Sequence, residues 1–507
     1  MKNVLAVLLM AMLGIALFQC SEEGDGSDAD DNTSTDGETD TDGRKPTDSE
    51  TPTDNETPTD NGKPTDNGTP TDNETPTDTG IETGGPKGEW VRHVINDQIG
   101  ESIMLQFVPD LCGDGKLKAV GSNHTNTADK PKAPESQIVM FDVPDTIEEM
   151  RKPWPMTKIS EGIKSRRSPT PMSPQAAPGI FGFGDADMDG DIDLLVSGDG
   201  DANIYVIEQT APCQFATHVL ATKMGQAGVM IVTDLDQDGT NELVVSSYEQ
   251  NVVKAYEWNY PKQVNYQSYG SNFTVHTISN LKSPAFGTVD YVNDDDHLDL
   301  IVSHYSPFSM LDNKMFGKLV LYLGDGTLDN WKEIVLDDKV PFPHKTTVLD
   351  INNDGEMDIF HPSGFLPCEG VPGGKPCGSL AWFENKGDGS FEKHQIYGPQ
   401  SKLFFWRAVF EDFDNDGLLD FITVGERKPT SGKPTAKVLF FRGIAKSPFF
   451  VSEPEEITEG LGSIPVGRDI DEDGDLDIFS AEYFLPKATF PKFSFAWLEQ
   501  VKAPAAQ

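Results

Sequence analysis

DADMDGDIDLLV, residues 185–196, places carboxylates at alternate positions, turns on a glycine and runs at once into an apolar stretch suited to a strand. The pattern returns as DLDQDGTNELVV (234–245), DYVNDDDHLDLIV (290–302), DINNDGEMDIF (350–360), DFDNDGLLDFIT (412–423) and DIDEDGDLDIFS (469–480). A degenerate copy, DLCGDGKLKAVG, stands at 110–121. The seven starts lie 49–75 residues apart. A period of that size marks units that bury their apolar faces against one another.

Two further elements recur with the loop. About 20 residues before most copies comes an aromatic, then His, then an aliphatic residue: Trp90/His93/Ile95, Phe215/His218/Leu220, Phe273/His276/Ile278 and Phe391/His394/Ile396. Trp331/Ile334/Leu336 is the same element without His. After the loops come AYEWN (255–259), AWFEN (381–385) and AWLEQ (496–500). Each unit therefore reads as a four-stranded antiparallel meander, the form of a propeller blade. The expected fold is all-β: a seven-bladed β-propeller over 87–501, with 502–507 as a tail. The repeat opens on an outer-type strand, EWVRHVI (89–95), and ends on an inner-type strand, FSFAWLEQ (493–500). The first strand is expected to complete the last blade and remove an open edge. A histidine that repeats in this way is read as part of blade packing.

Six loops in register, with closing strands of the WFEN type, resemble the FG-GAP/VCBS repeat family, related to the propeller of integrin α-chains. The resemblance covers about residues 88–500. It implies that the acidic loops join the first and second strands of each blade and cluster on one face.

The chemistry of the loops follows from their spacing. Alternate carboxylates on a turning backbone converge on one point, and hard oxygen ligands in that number suit Ca²⁺. Zn²⁺ would prefer His or Cys. Five cages are expected: Asp185/Asp187/Asp189/Asp193, Asp234/Asp236/Asp238/Glu242, Asp350/Asn352/Asp354/Asp358, Asp412/Asp414/Asp416/Asp420 and Asp469/Asp471/Asp473/Asp477. The loop at 290–299 reads as carrying one extra residue and no glycine. Aligned from its end it offers Asn293, Asp295 and Asp299 as a sixth site. The first loop has Cys112 and Lys118 at ligand positions and is expected to be metal-free. The flanks read as strands, which excludes an EF-hand; solvated Asp-Gly turns without metal are the alternative. Carboxylates brought this close repel until a cation neutralises them, so the ions are expected to be structural.

The N-terminus reads MKNVLAVLLMAMLGIALFQC. Its apolar run, Val4 to Phe18, is shorter than the ~20 residues that span a bilayer and suits a signal peptide. The ending resembles a bacterial lipoprotein signal over 1–20, with Cys20 as the lipidated residue and membrane anchor. Leu17 fits that pattern; Phe18 and Gln19 depart from it, and an ordinary secretory peptide is the alternative. Residues 21–86 hold 20 Asp/Glu against 3 Lys/Arg, with Pro at 46, 52, 58, 64, 70 and 76. Nothing there can bury a core, so a disordered, extended acidic linker is expected. Export to the outer membrane or cell surface is the reading, with secretion or a periplasmic location as the alternative. Of the remaining cysteines, Cys368 and Cys377 flank a Gly/Pro loop and are expected to bridge; a Cys112–Cys213 pairing is left open.

The whole chain has 507 residues and a formal net charge of −43. Such a polyanion repels phosphates, which excludes nucleic acid as a partner. Walker, G-x-S-x-G, H-E-x-x-H and dinucleotide motifs are absent from the sequence. Recognition is expected in the long, dissimilar loops on the face away from the metal loops. The candidates are Arg166, Arg167, His304, Tyr305, His344, His361, Trp406, Arg427 and Tyr483. The sequence thus points to a monomeric surface binding or adhesion module for a protein or glycan. The rival is a lyase or hydrolase acting on polysaccharide or sugar, since some similar propellers belong to such enzymes.

Overall fold

The computed structural model describes residues 89–98, 102, 104–123, 137–160, 163, 181–198, 202–225, 227–248, 250–259, 263–305, 317–364, 377–427, 435–481 and 495–501. They form seven four-stranded antiparallel sheets, the blades of a propeller.

Strand β1 (Glu89–Asn96) comes first in the chain and belongs to the last blade. Blade 1 is β2 (Leu105–Pro109), β3 (Leu117–Asn123), β4 (Gln137–Asp142) and β5 (Met156–Lys158). Blade 2 is β6 (Phe181–Gly184), β7 (Asp193–Gly198), β8 (Asn203–Ala211) and β9 (Gln214–Ala221). Blade 3 is β10 (Met230–Thr233), β11 (Glu242–Ser247), β12 (Val252–Trp258) and β13 (Phe273–Ser279). Blade 4 is β14 (Pro284–Asp290), β15 (Asp299–His304), β16 (Gly317–Leu323) and β17 (Lys332–Val340). Blade 5 is β18 (Thr347–Leu349), β19 (Asp358–Ser363), β20 (Gly378–Asn385) and β21 (Phe391–Ser401). Blade 6 is β22 (Phe404–Glu411), β23 (Asp420–Arg427), β24 (Thr435–Phe441) and β25 (Glu455–Glu459). Blade 7 is β26 (Gly462–Arg468), β27 (Asp477–Ala481) and β28 (Phe495–Val501), completed by β1.

The closure expected from the sequence is present. Trp90 pairs with Gln500 and His93 with Trp497, so the two ends of the repeat share one sheet. This leaves no open edge at the join, where an unpaired strand would invite association. The second and third strands of the blades are nearly continuous buried runs, such as ELVVSS in β11 and GSLAWFEN in β20. They are covered on both faces by the neighbouring blades. The cores follow that packing: Leu195 and Val206 of blade 2 share a cluster with Leu243 and Val245 of blade 3. Adjacent blades approach closely enough that a Cβ on Gly228 would lie 1.5 Å from the carbonyl oxygen of Ala285.

A disulfide joins Cys112, in the loop of blade 1, to Cys213, in the β8–β9 turn of blade 2. Cys377 is also disulfide-bonded. Cys368, the partner expected for it, lies outside the described residues, as do Cys20 and the whole of 1–88. Among the described residues no helix is long and apolar enough to cross a membrane.

Candidate functional site

Each acidic loop joins the first strand of a blade to the second, and five share one backbone. Position four of the loop has positive φ at Met188, Gln237, Asn353, Asn415 and Glu472. Position six is glycine with φ between 86° and 98° at Gly190, Gly239, Gly355, Gly417 and Gly474. That second conformation suits glycine, which explains the fixed Asp-Gly. The carboxylate at position one then accepts from the loop itself: Asp185 takes N–H bonds from Asp189 (3.1 Å) and Gly190 (3.0 Å). Asp350, Asp412 and Asp469 do the same with their own loops. The carboxylate at position nine is fully buried and ties the loop to the third strand. Asp193 accepts from Ala186 N–H (2.9 Å) and Gln209 N–H (2.8 Å).

Position three is different. Asp187 Oδ1, Asp236 Oδ1, Asn293 Oδ1, Asp414 Oδ1 and Asp471 Oδ1 are buried and have no hydrogen-bond partner. An unpaired buried oxygen costs about 1–3 kcal/mol, and more when charged. One oxygen recurs in this state at the same place in five blades. Oxygens of Asp185, Asp187 and Asp193 lie within 4.8 Å of one another, as do those of Asp234, Asp236 and Glu242. Two charges at that distance repel by on the order of 3 kcal/mol at an effective dielectric near 20. Burial raises Asp187 and Asp420 to about 7, and Asp193, Glu242 and Asp477 to about 8. Asp299 and Asp358 rise to about 6 for the same reason. Oxygen-only donors, orphaned and mutually repelling, are the donor set that suits Ca²⁺.

Position five of each expected cage, Asp189, Asp238, Asp354, Asp416 and Asp473, lies on the solvent side of the loop. Each carboxylate also accepts the N–H two residues on, a local side-chain turn. Asp238 accepts from Thr240 N–H (2.8 Å) and from the Thr240 hydroxyl (2.6 Å). Asp354 accepts from Glu356 N–H (2.9 Å), and Asp473 from Asp475 N–H (3.2 Å). Asn352, at position three of blade 5, does not carry the orphaned oxygen of its counterparts. Its Oδ1 accepts from Asp354 N–H (3.1 Å) and its Nδ2 donates to Asp354 Oδ2 (2.8 Å).

The sequence reading missed one residue of the cage. A glutamate on the third strand stands opposite position nine: Glu257 pairs in register with Glu242, and Glu208, Glu384 and Glu499 hold the same place. Oxygens of Glu208, Asp187 and Asp189 fall within 4.8 Å of one another. The repeated histidine explains itself here. His218 lies 2.6 Å from Glu208, His276 2.9 Å from Glu257, His394 2.7 Å from Glu384 and His93 2.7 Å from Glu499. Blades 1, 4 and 6 place Asp142, Leu323 and Arg442 where the glutamate would be, and their fourth strands, MTK, KEIVLDDKV and EEITE, contain no histidine. The signal was visible as the Glu of AYEWN, AWFEN and AWLEQ.

In two loops a cation bonds the loop carboxylates themselves, whereas in blades 5 and 7 a cation reaches only the third-strand glutamate, Lys386 on Glu384 (2.7 Å) and Arg151 on Glu499 (2.9 Å). In blade 1 Lys118 occupies position nine, and its ammonium contacts Asp114 (2.8 Å) and Asp142 (2.9 Å). In blade 6, one of the five expected cages, the Arg442 guanidinium bonds Asp414 and lies 4.0 Å from Asp416. The blade 4 loop corrects the sequence reading. Asp290 pairs with Asp299 just as Gly184 pairs with Asp193, so the loop has no extra residue. Asp290 ends the strand and Tyr291 takes position one. Asp295, at position five, accepts from His297 N–H (3.0 Å) and from the Asn293 amide (2.7 Å).

The residues expected on the opposite face divide differently. Arg166, Arg167 and Tyr483 lie outside the described residues, as does the side chain of Arg427. His304, His344, His361 and Trp406 are in the interior, between 0% and 5% exposed, and do not form an exposed surface. His344 stacks on Trp406 with ring centres 4.3 Å apart and donates from Nδ1 to the Phe405 carbonyl (2.6 Å). Tyr305, half-buried, packs on Phe342. Met104, Phe286, Phe404, Trp406 and Ile464, from four blades, form one apolar cluster at the end of the innermost strands away from the acidic loops.

A seven-bladed propeller with an acidic loop in each blade is the class this geometry defines. FG-GAP-like repeats match residues 185–245 and 373–423, and the chain carries such repeats. Among solved structures it is similar to the V. cholerae biofilm matrix protein Bap1, with 10% identity and a TM-score of 0.38 over 81% of this chain and 89% of that one. No curated protein matches it.

Proposed function

We propose that the chain is a calcium-dependent surface binding module. In this reading the propeller is exported, lipid-anchored at Cys20 and held off the membrane by its acidic linker, and it presents loops to a protein or glycan. The buried oxygen left without a partner at position three, repeated in five blades, carries the calcium half of the reading. Blades 2, 3 and 7 have both that oxygen and the Glu–His pair; blade 5 has the acidic loop and the Glu–His pair without the orphaned oxygen, and these four are assigned the sites. Residues at positions one, three and nine would hold the ion from within, and position five would close the site from the solvent side. The ion would supply the positive charge that lets the cage stay ionised. Blade 4 lacks the glycine and the first aspartate, and blades 1 and 6 hold their own cation. The recognition half rests on the leader, the linker and the long loops after the second strands.

The test is binding of the purified chain to an array of glycans and matrix proteins, in millimolar Ca²⁺ and in chelator. A saturable hit lost together with the folded signal in chelator supports both halves. A soluble product released from a polysaccharide on the array, with no saturable hit, replaces binding with the enzyme reading.

A further inference from the structure

The innermost strands can be compared level by level by counting back from position one of each loop. Five residues before that position stand Leu105, Val229, Phe286 and Ile464 in blades 1, 3, 4 and 7. At the same level blades 5 and 6, which are neighbours, carry Lys345 and Arg407. The preceding residues, His344 and Trp406, stack on each other, which fixes the two strands side by side there. The molecule has 83 acidic residues against 40 Lys and Arg, so two cations without a carboxylate are unexpected. Yet among the described residues neither has an ion-pair partner, and Arg407 Nε is buried without a hydrogen bond. The next acids along their strands, Asp350 and Glu411, are four or five residues on, about 13–17 Å at strand spacing.

Both side chains are half-buried. Arg407 lies on the innermost strand β22 and Lys345 two residues ahead of the innermost strand β18, in the part of each blade that borders the central channel of a propeller. Phe286 and Ile464 of this level share an apolar cluster with Met104, Phe404 and Trp406. Burial and the neighbouring guanidinium push the Lys345 ammonium down to about 7. Two like charges held together in a low-dielectric channel stay costly until an anion joins them.

We propose that the axial channel binds a small doubly charged oxyanion, of the sulfate, hydrogen phosphate or short dicarboxylate class, between Lys345 and Arg407. Two positive groups match one dianion in charge, and the guanidinium offers paired N–H donors suited to an oxyanion. The site is separate from the acidic loops and stands without the calcium reading.

The experiment is thermal melting and calorimetric titration of the whole chain with sodium sulfate and with malonate, against sodium chloride at equal ionic strength, in saturating Ca²⁺. A saturable rise in melting temperature of a few degrees is expected with the dianions alone. Lys345→Gln and Arg407→Gln should each weaken that binding at least tenfold. Without added dianion, each variant should melt at or above the wild type, because a repulsion has been removed. Wild-type protein that responds to sulfate and malonate no more than to chloride overturns the proposal, whatever the variants do. So does unchanged dianion affinity in either variant. Keeping Ca²⁺ constant separates this outcome from any failure of the calcium reading.

Discussion

Blade 2 gathers Asp185, Asp187 and Asp193 around one point and leaves an Asp187 oxygen unpartnered. Blade 1, beside it, keeps the loop backbone, with positive φ at Gly113 and Gly115 in positions four and six. There position three is Cys112, committed to the disulfide, and position nine is Lys118, whose ammonium meets Asp114 and Asp142. The same turn therefore serves two electrostatic solutions. One leaves negative charge to be neutralised from outside, and the other neutralises it with a side chain. Loop shape belongs to the fold, and the charge left at its centre belongs to three side chains within it.

The largest expected effect comes from breaking the link between the two blades. Cys213→Ser opens a disulfide spanning 101 residues of sequence, and should cost about 4 kcal/mol in denaturant unfolding. Asp193→Ala comes next, at about 3 kcal/mol, because it strands the buried N–H groups of Ala186 and Gln209. Its cost should persist in chelator only in the part due to those bonds. Lys118→Met should cost about 1–2 kcal/mol, since its partners are 40% and 49% exposed, and that loss should be the same with and without Ca²⁺. A calcium-dependent loss there would erase the contrast between the blades. Arg442→Glu sharpens it: the change gives blade 6 the glutamate of the other cages and should add one Ca²⁺ to a calorimetric count.

The plug end of the propeller provides a pH test of opposite character. Burial holds His304 down to about 4 and His344 to about 3, and His361 well below its usual value. Their folded pKa values lie under the unfolded value near 6.5, so the unfolded chain takes up protons first as pH falls. Their stabilisation is complete above about 6.5 and is lost below it, by about 2 kcal/mol each for His304 and His344 at pH 5. Melting in saturating Ca²⁺ from pH 8 to pH 5 should show the fall. A His344→Phe variant should show less of it.

Much of this was legible in the chain. Seven Asp-rich loops gave seven blades, and EWVRHVI with FSFAWLEQ gave the closure. What was not legible depends on pairing across strands. Glu208, Glu257, Glu384 and Glu499 look like ordinary strand residues until the register sets them opposite position nine. Arg442 is invisible as a competing cation for the same reason. Asp290 resembles the first ligand of its loop, and only its pairing with Asp299 makes it a strand end. Alternate spacing also made position five look equal to position three. Asp189, Asp238, Asp354, Asp416 and Asp473 lie at the exposed rim and accept from the N–H groups of their own turns, whereas position three is enclosed. His304 and His361 were read as loop residues because HYSP and HPSG look like turns, yet both lie in strands covered by adjacent blades. Burial by a neighbouring blade leaves no local mark.

The central claim is that the cages of blades 2, 3, 5 and 7 take Ca²⁺ while blades 1 and 6 supply their own charge. Native mass spectrometry of chelator-treated protein, titrated with Ca²⁺, counts the ions directly. The account predicts four tightly bound Ca²⁺ per chain, set by the four Glu–His blades, with a rise in melting temperature as they fill. A chain that binds none at millimolar Ca²⁺, or that fills blade 1 as readily as blade 2, contradicts it.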